Sequence, residues 1–173
     1  MQTYAHCVMT FMVFRRREAL AMKVSLFSIF PDLPYIIAYL SSWGTVGPSN
    51  REALQKGIAT YFGSMTHSLT LCVAVGAVLL LAKRKNCFPF FVAWFLHVLV
   101  DFLTHVEDAY PIFWPLSDRR FPGFVSYWDP RYHGDIFSML SNWFVTICLC
   151  YILISKLRVV YRTRHAAANV EAE

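Results

Sequence analysis

His97, Asp101 and His105 stand four residues apart within an apolar stretch, 94–106. Steps of four advance about 40° around a helix of 3.6 residues per turn, so three metal-type ligands share one slowly drifting stripe. A carboxylate buried there without a partner costs several kcal/mol, and ionisable side chains inside apolar helices usually face a bundle interior and mark a functional path. The spacing therefore predicts a ligand cluster that other segments of the chain complete.

Three further candidates lie in apolar surroundings: His6, Asp32 and His67. At about 1.5 Å per helical residue, their heights above the nearest basic residues come to roughly 14 Å for His6, 22 Å for Asp32 and 24 Å for His67. His97 and Asp101 fall at roughly 18 and 24 Å, in the same layer, and His105 near roughly 30 Å, at the mouth. A set of imidazoles and carboxylates without thiolates suits Zn²⁺, one ion or two, with Mn²⁺ the other candidate. Such a site with an open position lowers the pKa of bound water toward about 7 and produces a nucleophile for an ester or phosphodiester. A second ion a few ångströms away would stabilise the leaving oxygen, with Asp101 placed to bridge.

Other readings stay open for each residue. His6 on its own fits a hydrogen-bonded core histidine, and Asp32 fits a cap for the segment that starts at Leu33. Thr66 and Ser68 flank His67 and suit bonds to backbone carbonyls or ring orientation; no Ser-His-Asp spacing supports a serine nucleophile. His133 and Asp135 fall in a long polar connection, as residues that reach the site or as solvated loop groups.

The elements that must position this cluster are membrane elements. The chain is 57% hydrophobic and 16% charged, against about 45–50% apolar in soluble domains. An all-α polytopic bundle of about four to five helices follows, a single domain over 1–173. Segments 58–82, 87–105 and 136–155 are each long enough to span a bilayer, with Pro89 in a first turn where its missing N–H is tolerated. Segment 3–14 is too short to span and predicts a short N-terminal helix, and 19–43 is broken by Phe30, Pro31, Asp32, Leu33 and Pro34. No small-residue cleavage site follows the first apolar stretch, so the N-terminus is expected to stay within the fold.

The net charge of +5 sits in clusters at 15–17, 83–85 and 156–164, each beside an apolar segment. That placement fits the positive-inside rule and a basic cytoplasmic tail at 156–173, and no nucleic-acid partner is expected. The polar connection 106–135 then falls outside the cytoplasm, where loops of this length commonly act as lids. Its Trp114, Trp128, Arg119, Arg120 and Arg131 suit anionic lipid headgroups, although an ordinary loop lying on the membrane reads equally well. The five cysteines, beside or within apolar segments, read as small hydrophobic residues.

His6, the Pro31-Asp32-Leu33 motif, the Thr66-His67-Ser68 motif and the run from His97 to His105 together resemble a known family. So does the stretch Phe113-Trp114-Pro115-Leu116-Ser117. The family is the LexA-binding, inner-membrane-associated hydrolases, often called YdjM-like, themselves similar in ligand pattern to zinc-dependent phospholipases C and nucleases. The resemblance implies one ion on Asp32, His67, His97 and Asp101 and a second helped by His6 and Asp101. This chain departs at Gly63-Ser64-Met65, where many members carry His-Arg, and at Pro34, where they carry an acid.

The expectation is a membrane-embedded, metal-dependent hydrolase of a phosphoester or phospholipid-like substrate, with Asp32 as catalytic base. It would lie in a bacterial inner membrane, amid membrane lipids, with the site opening on the extracytoplasmic side. The alternative is a non-enzymatic membrane protein: a metal or proton pathway, or a partner-binding scaffold.

Overall fold

The computed structural model describes residues 1–42 and 59–171, and they form an all-helical bundle. Helix α1 runs Thr3–Phe14 and α2 runs Glu18–Phe27. A 3-10 turn, Phe30–Asp32, leads to α3, Leu33–Ser42. A five-residue π turn, Ala59–Gly63, and one α turn, Ser64–Thr66, precede α4, Leu69–Leu81. Helix α5 is Phe88–Thr104 and α6 is Gly134–Glu171.

Among the described residues, three stretches are long and apolar enough to cross a membrane: Glu18–Leu40, Lys85–Thr104 and Gly134–His165. The first is interrupted where Pro31 and Pro34 remove backbone donors, as the sequence predicts, and Pro89 sits in the first turn of α5. Helix α1 has 12 residues, too few to span.

One expected span is corrected. Segment 58–82 is not continuous; Ile58 lies outside the described residues, and the helix breaks at His67 and Ser68. Ser68 is extended and caps α4, its Oγ accepting from the Leu71 N–H at 3.1 Å while donating to the Trp114 carbonyl at 2.5 Å. The Leu69 N–H donates to the Ile112 carbonyl at 2.8 Å. Segment 58–82 is apolar enough in composition for one span, but a Ser N-cap lies inside it and satisfies a donor that the new helix start leaves free. The expected span 136–155 is likewise part of a longer helix, since α6 carries the basic 156–164 segment within it.

Helix α1 packs on α2, α4 on α5, α2 on α5, and α6 lies against α1. Most of the buried apolar side chains are small, among them Ala5, Ala21, Val24, Ala38, Cys72, Ala93 and Val98. Among the largest fully buried side chains are three imidazoles, His6, His67 and His97. Large apolar residues instead point outward, as with Ile147, Leu149, Leu153 and Leu157 on α6. This arrangement suits a bundle surrounded by lipid, where helices associate through small residues and polar groups turn inward. All five cysteines are free; Cys72 and Cys148 are buried, Cys7 is half-buried, and Cys87 and Cys150 are exposed.

Candidate metal centre

Asp101 lies at the centre of the polar interior and is 3% exposed. Its Oδ2 faces His97 Nε2 at 3.1 Å and His67 Nε2 at 3.4 Å. Asp32 Oδ1 faces the same two nitrogens, at 3.5 Å from His97 and 3.6 Å from His67. Asp32 Oδ2 accepts a hydrogen bond from Thr3 Oγ1 at 2.5 Å, so its carboxylate turns into the bundle and the alternative reading as a helix cap is not needed.

The second nitrogen of each ring fixes what the first can do. His97 Nδ1 lies 2.8 Å from the Ser28 carbonyl and His67 Nδ1 lies 3.0 Å from the Gly63 carbonyl. Carbonyls only accept, so each Nδ1 carries a proton, and in the neutral form of each ring the lone pair sits at Nε2, toward the carboxylates. Both Nε2 atoms are buried and make no hydrogen bond. Lone pairs aimed at two carboxylates would repel, and either a proton on Nε2 or a metal ion between the four groups removes that repulsion.

Distance supports a cation there. The four ligand atoms of Asp32, His67, His97 and Asp101 lie within 4.8 Å of one another. Ligands bonded at about 2.0–2.1 Å in a tetrahedron stand about 3.3–3.5 Å apart, against the 3.1–3.6 Å of the four His-to-Asp separations. The backbone carbonyls that orient the rings are the outer partners that such sites use. The group can therefore hold a metal ion.

His6 and His105 approach the other oxygen of Asp101. His6 Nε2 is 2.9 Å and His105 Nε2 is 3.5 Å from Oδ1, and the His6 ring stacks on His97 at 3.8 Å. The Met1 amino nitrogen lies 2.6 Å from the same oxygen and 3.0 Å from Thr104 Oγ1. All six predicted residues thus gather in one place, which corrects the height given to His105. Helix α5 ends at Thr104, and His105 is extended (φ −111°, ψ 117°), so its ring swings back toward Asp101.

Sequence reasoning missed the groups that enclose the cluster. Tyr110 stacks on His67 at 3.9 Å, and Tyr127 lies against His105 at 4.7 Å. Asp108 Oδ2 lies 3.0 Å from His105 Nδ1. Burial pushes the His105 pKa down, but Asp101 and Asp108 outweigh it and the net shift is upward. Burial raises the Asp108 carboxyl, yet the His105 contact holds it below its ordinary value. Thr3 was the legible miss, one helical turn before His6 and so on its face of α1. His133 and Asp135 are exposed and join no contact with the cluster, and His165 packs on Tyr161.

Connection 106–133 covers the cluster through backbone bonds. Gly123 N–H donates to the His105 carbonyl at 2.7 Å, Phe124 to Leu103 at 2.9 Å and Tyr127 to Thr104 at 3.0 Å. Beneath it, His67, Asp101, His105, Tyr110 and Phe121 line a tight recess with no room for a water molecule. Residues 3–164 match the YdjM inner membrane protein family.

The chain belongs to that family.

The match takes in every residue of the cluster from Thr3 to His105, and it assigns the protein to an inner-membrane family. No curated protein and no solved structure matches the chain.

Proposed function

We propose that this YdjM family member is a membrane-embedded, metal-dependent hydrolase of a phosphoester or phospholipid-like substrate. The observation that carries the reading is the pair of buried Nε2 atoms of His67 and His97, without a hydrogen bond, set against the carboxylates of Asp32 and Asp101 within 4.8 Å. Asp32, His67, His97 and Asp101 would hold one divalent ion, most simply Zn²⁺, with Mn²⁺ the other candidate. His6 and His105, on the opposite oxygen of Asp101, would help hold a second. When bound, such an ion supplies Lewis acidity and an activated water nucleophile.

The chain's own residues supply the rest. Asp32 is the more open of the two carboxylates, its side chain 16% exposed against 4% for Asp101. It is the proposed base, taking the proton of the attacking water at Oδ2 while the Thr3 hydroxyl keeps that oxygen oriented. Tyr110, over His67, closes the recess and excludes water, so 106–135 is proposed as a lid that opens on the extracytoplasmic side to admit substrate. Phe121 lines the recess, and the exposed Arg119 and Arg120 precede it in the chain, a placement that favours a substrate bearing phosphate.

The test is hydrolysis of phospholipid and phosphodiester substrates by purified protein loaded with zinc or manganese. Turnover that depends on the metal and is lost in Asp32→Asn supports the proposal. Stoichiometric metal with no turnover, together with ion flux in liposomes that disappears in Asp101→Ala, would replace it with a metal or proton pathway.

A further inference from the structure

A second cavity lies at the basic end of the bundle, where α1 turns into α2 beside α6. It has a volume of about 370 Å³, within the range of about 300–1,000 Å³ typical of small-molecule sites. Arg15, Arg16 and Lys156 line it with one carboxylate, Glu18. Glu18 is taken up by an ion pair with Lys156, which leaves the two arginines facing the space without a carboxylate of their own among its lining residues. The Arg15 guanidinium lies 4.9 Å from the centre of the Tyr151 ring, which holds it at the cavity wall.

The remaining walls are apolar. Phe11 and Ile152 come from facing helices, and Val159, 61% exposed, joins the cavity to the outer surface of α6. That surface carries the outward-pointing Leu153 and Leu157 of a helix apolar enough to span a membrane. Cations at one end and an apolar wall open to the lipid-facing surface describe a headgroup with its chain attached. A free phosphate would have no use for the apolar wall. Basic pockets between membrane helices at the headgroup level bind anionic lipids by this logic.

We propose that the cavity between Arg15, Arg16 and Tyr151 is a binding site for an anionic phospholipid, distinct from the metal centre. The headgroup phosphate pairs with the two guanidinium groups, and the first methylenes of the acyl chain lie along Phe11 and Ile152. The bound lipid bridges α1 and α6.

Native mass spectrometry of the full chain in a non-ionic detergent, with phosphatidylglycerol or phosphatidylcholine added, tests the site. Wild type should retain phosphatidylglycerol about tenfold better than phosphatidylcholine, and Arg15→Gln with Arg16→Gln should bring the two to parity. Glu18→Gln frees Lys156 and should raise phosphatidylglycerol retention by about threefold, a gain that misfolding cannot produce. Equal retention of both lipids by wild type, or no gain in Glu18→Gln, would overturn the proposal. So would displacement of the lipid by an equal concentration of inorganic phosphate, which would mark a site for the free anion.

Discussion

The chemistry of the centre depends on which nitrogen of each histidine is free. The Ser28 and Gly63 carbonyls select the Nδ1–H form of His97 and His67, so both rings meet the carboxylates through Nε2. Asp101 faces His67 and His97 with one oxygen and His6 and His105 with the other. Asp101→Asn should therefore abolish stoichiometric metal retention, as read by elemental analysis after gel filtration. Thr3 donates its hydroxyl to Asp32, so the near-isosteric Thr3→Val should keep the fold but weaken metal affinity by about 10–100-fold, measured by competition with a chelating dye. The ligand types were legible because His and Asp are rare in apolar segments. The orienting carbonyls were not, since any residue could supply them.

The elements carry the next level of control, and the sequence reveals them unevenly. Pro31 and Pro34 marked the break before α3 and Pro89 the start of α5, because a missing N–H acts wherever it falls. The break at Ser68 was hidden, because the cap works only with the Trp114 and Ile112 carbonyls of a distant loop. His105 was misplaced for a similar reason: spacing along a helix stops counting once the helix ends. Close contacts between elements should be sensitive. A Cβ at Gly76 would stand 2.5 Å from the Phe91 ring, so Gly76→Ala should cost about 1–3 kcal/mol in thermal unfolding, partly recovered by adding Phe91→Leu. A Cβ at Gly123 would meet the Leu103 carbonyl oxygen at 2.6 Å, in backbone that cannot yield. Gly123→Ala should speed hydrogen exchange over 121–127 and leave metal retention intact.

The same loop has a pH limit. Arg131 hydrogen-bonds both oxygens of Asp129 and reaches Glu107 at 2.7 Å. Those Arg131 bonds, with Glu107 adding to them, hold the Asp129 carboxyl well below its ordinary value. A depressed carboxyl stabilises the folded state above the unfolded value and loses that contribution as pH falls through the folded one. The loop should therefore stay anchored from neutral pH down to about 4 and loosen below it, followed by the fluorescence of Trp128.

Over the whole molecule, the usual distribution of polarity is reversed in degree: imidazoles and carboxylates in the middle, small apolar residues around them, large ones facing outward. Composition and hydrophobic runs made the helical membrane class legible from sequence alone. The packing of α1, too short to span, against α2 and α6 was not, although that packing brings Thr3 and His6 to the cluster. A chain arranged this way is built around its polar centre, and the centre makes physical sense with a cation in it. Crystals of zinc- or manganese-loaded protein measured at the metal's absorption edge test this most directly. An anomalous peak is expected among Asp32, His67, His97 and Asp101. No peak there after loading with either metal would contradict it.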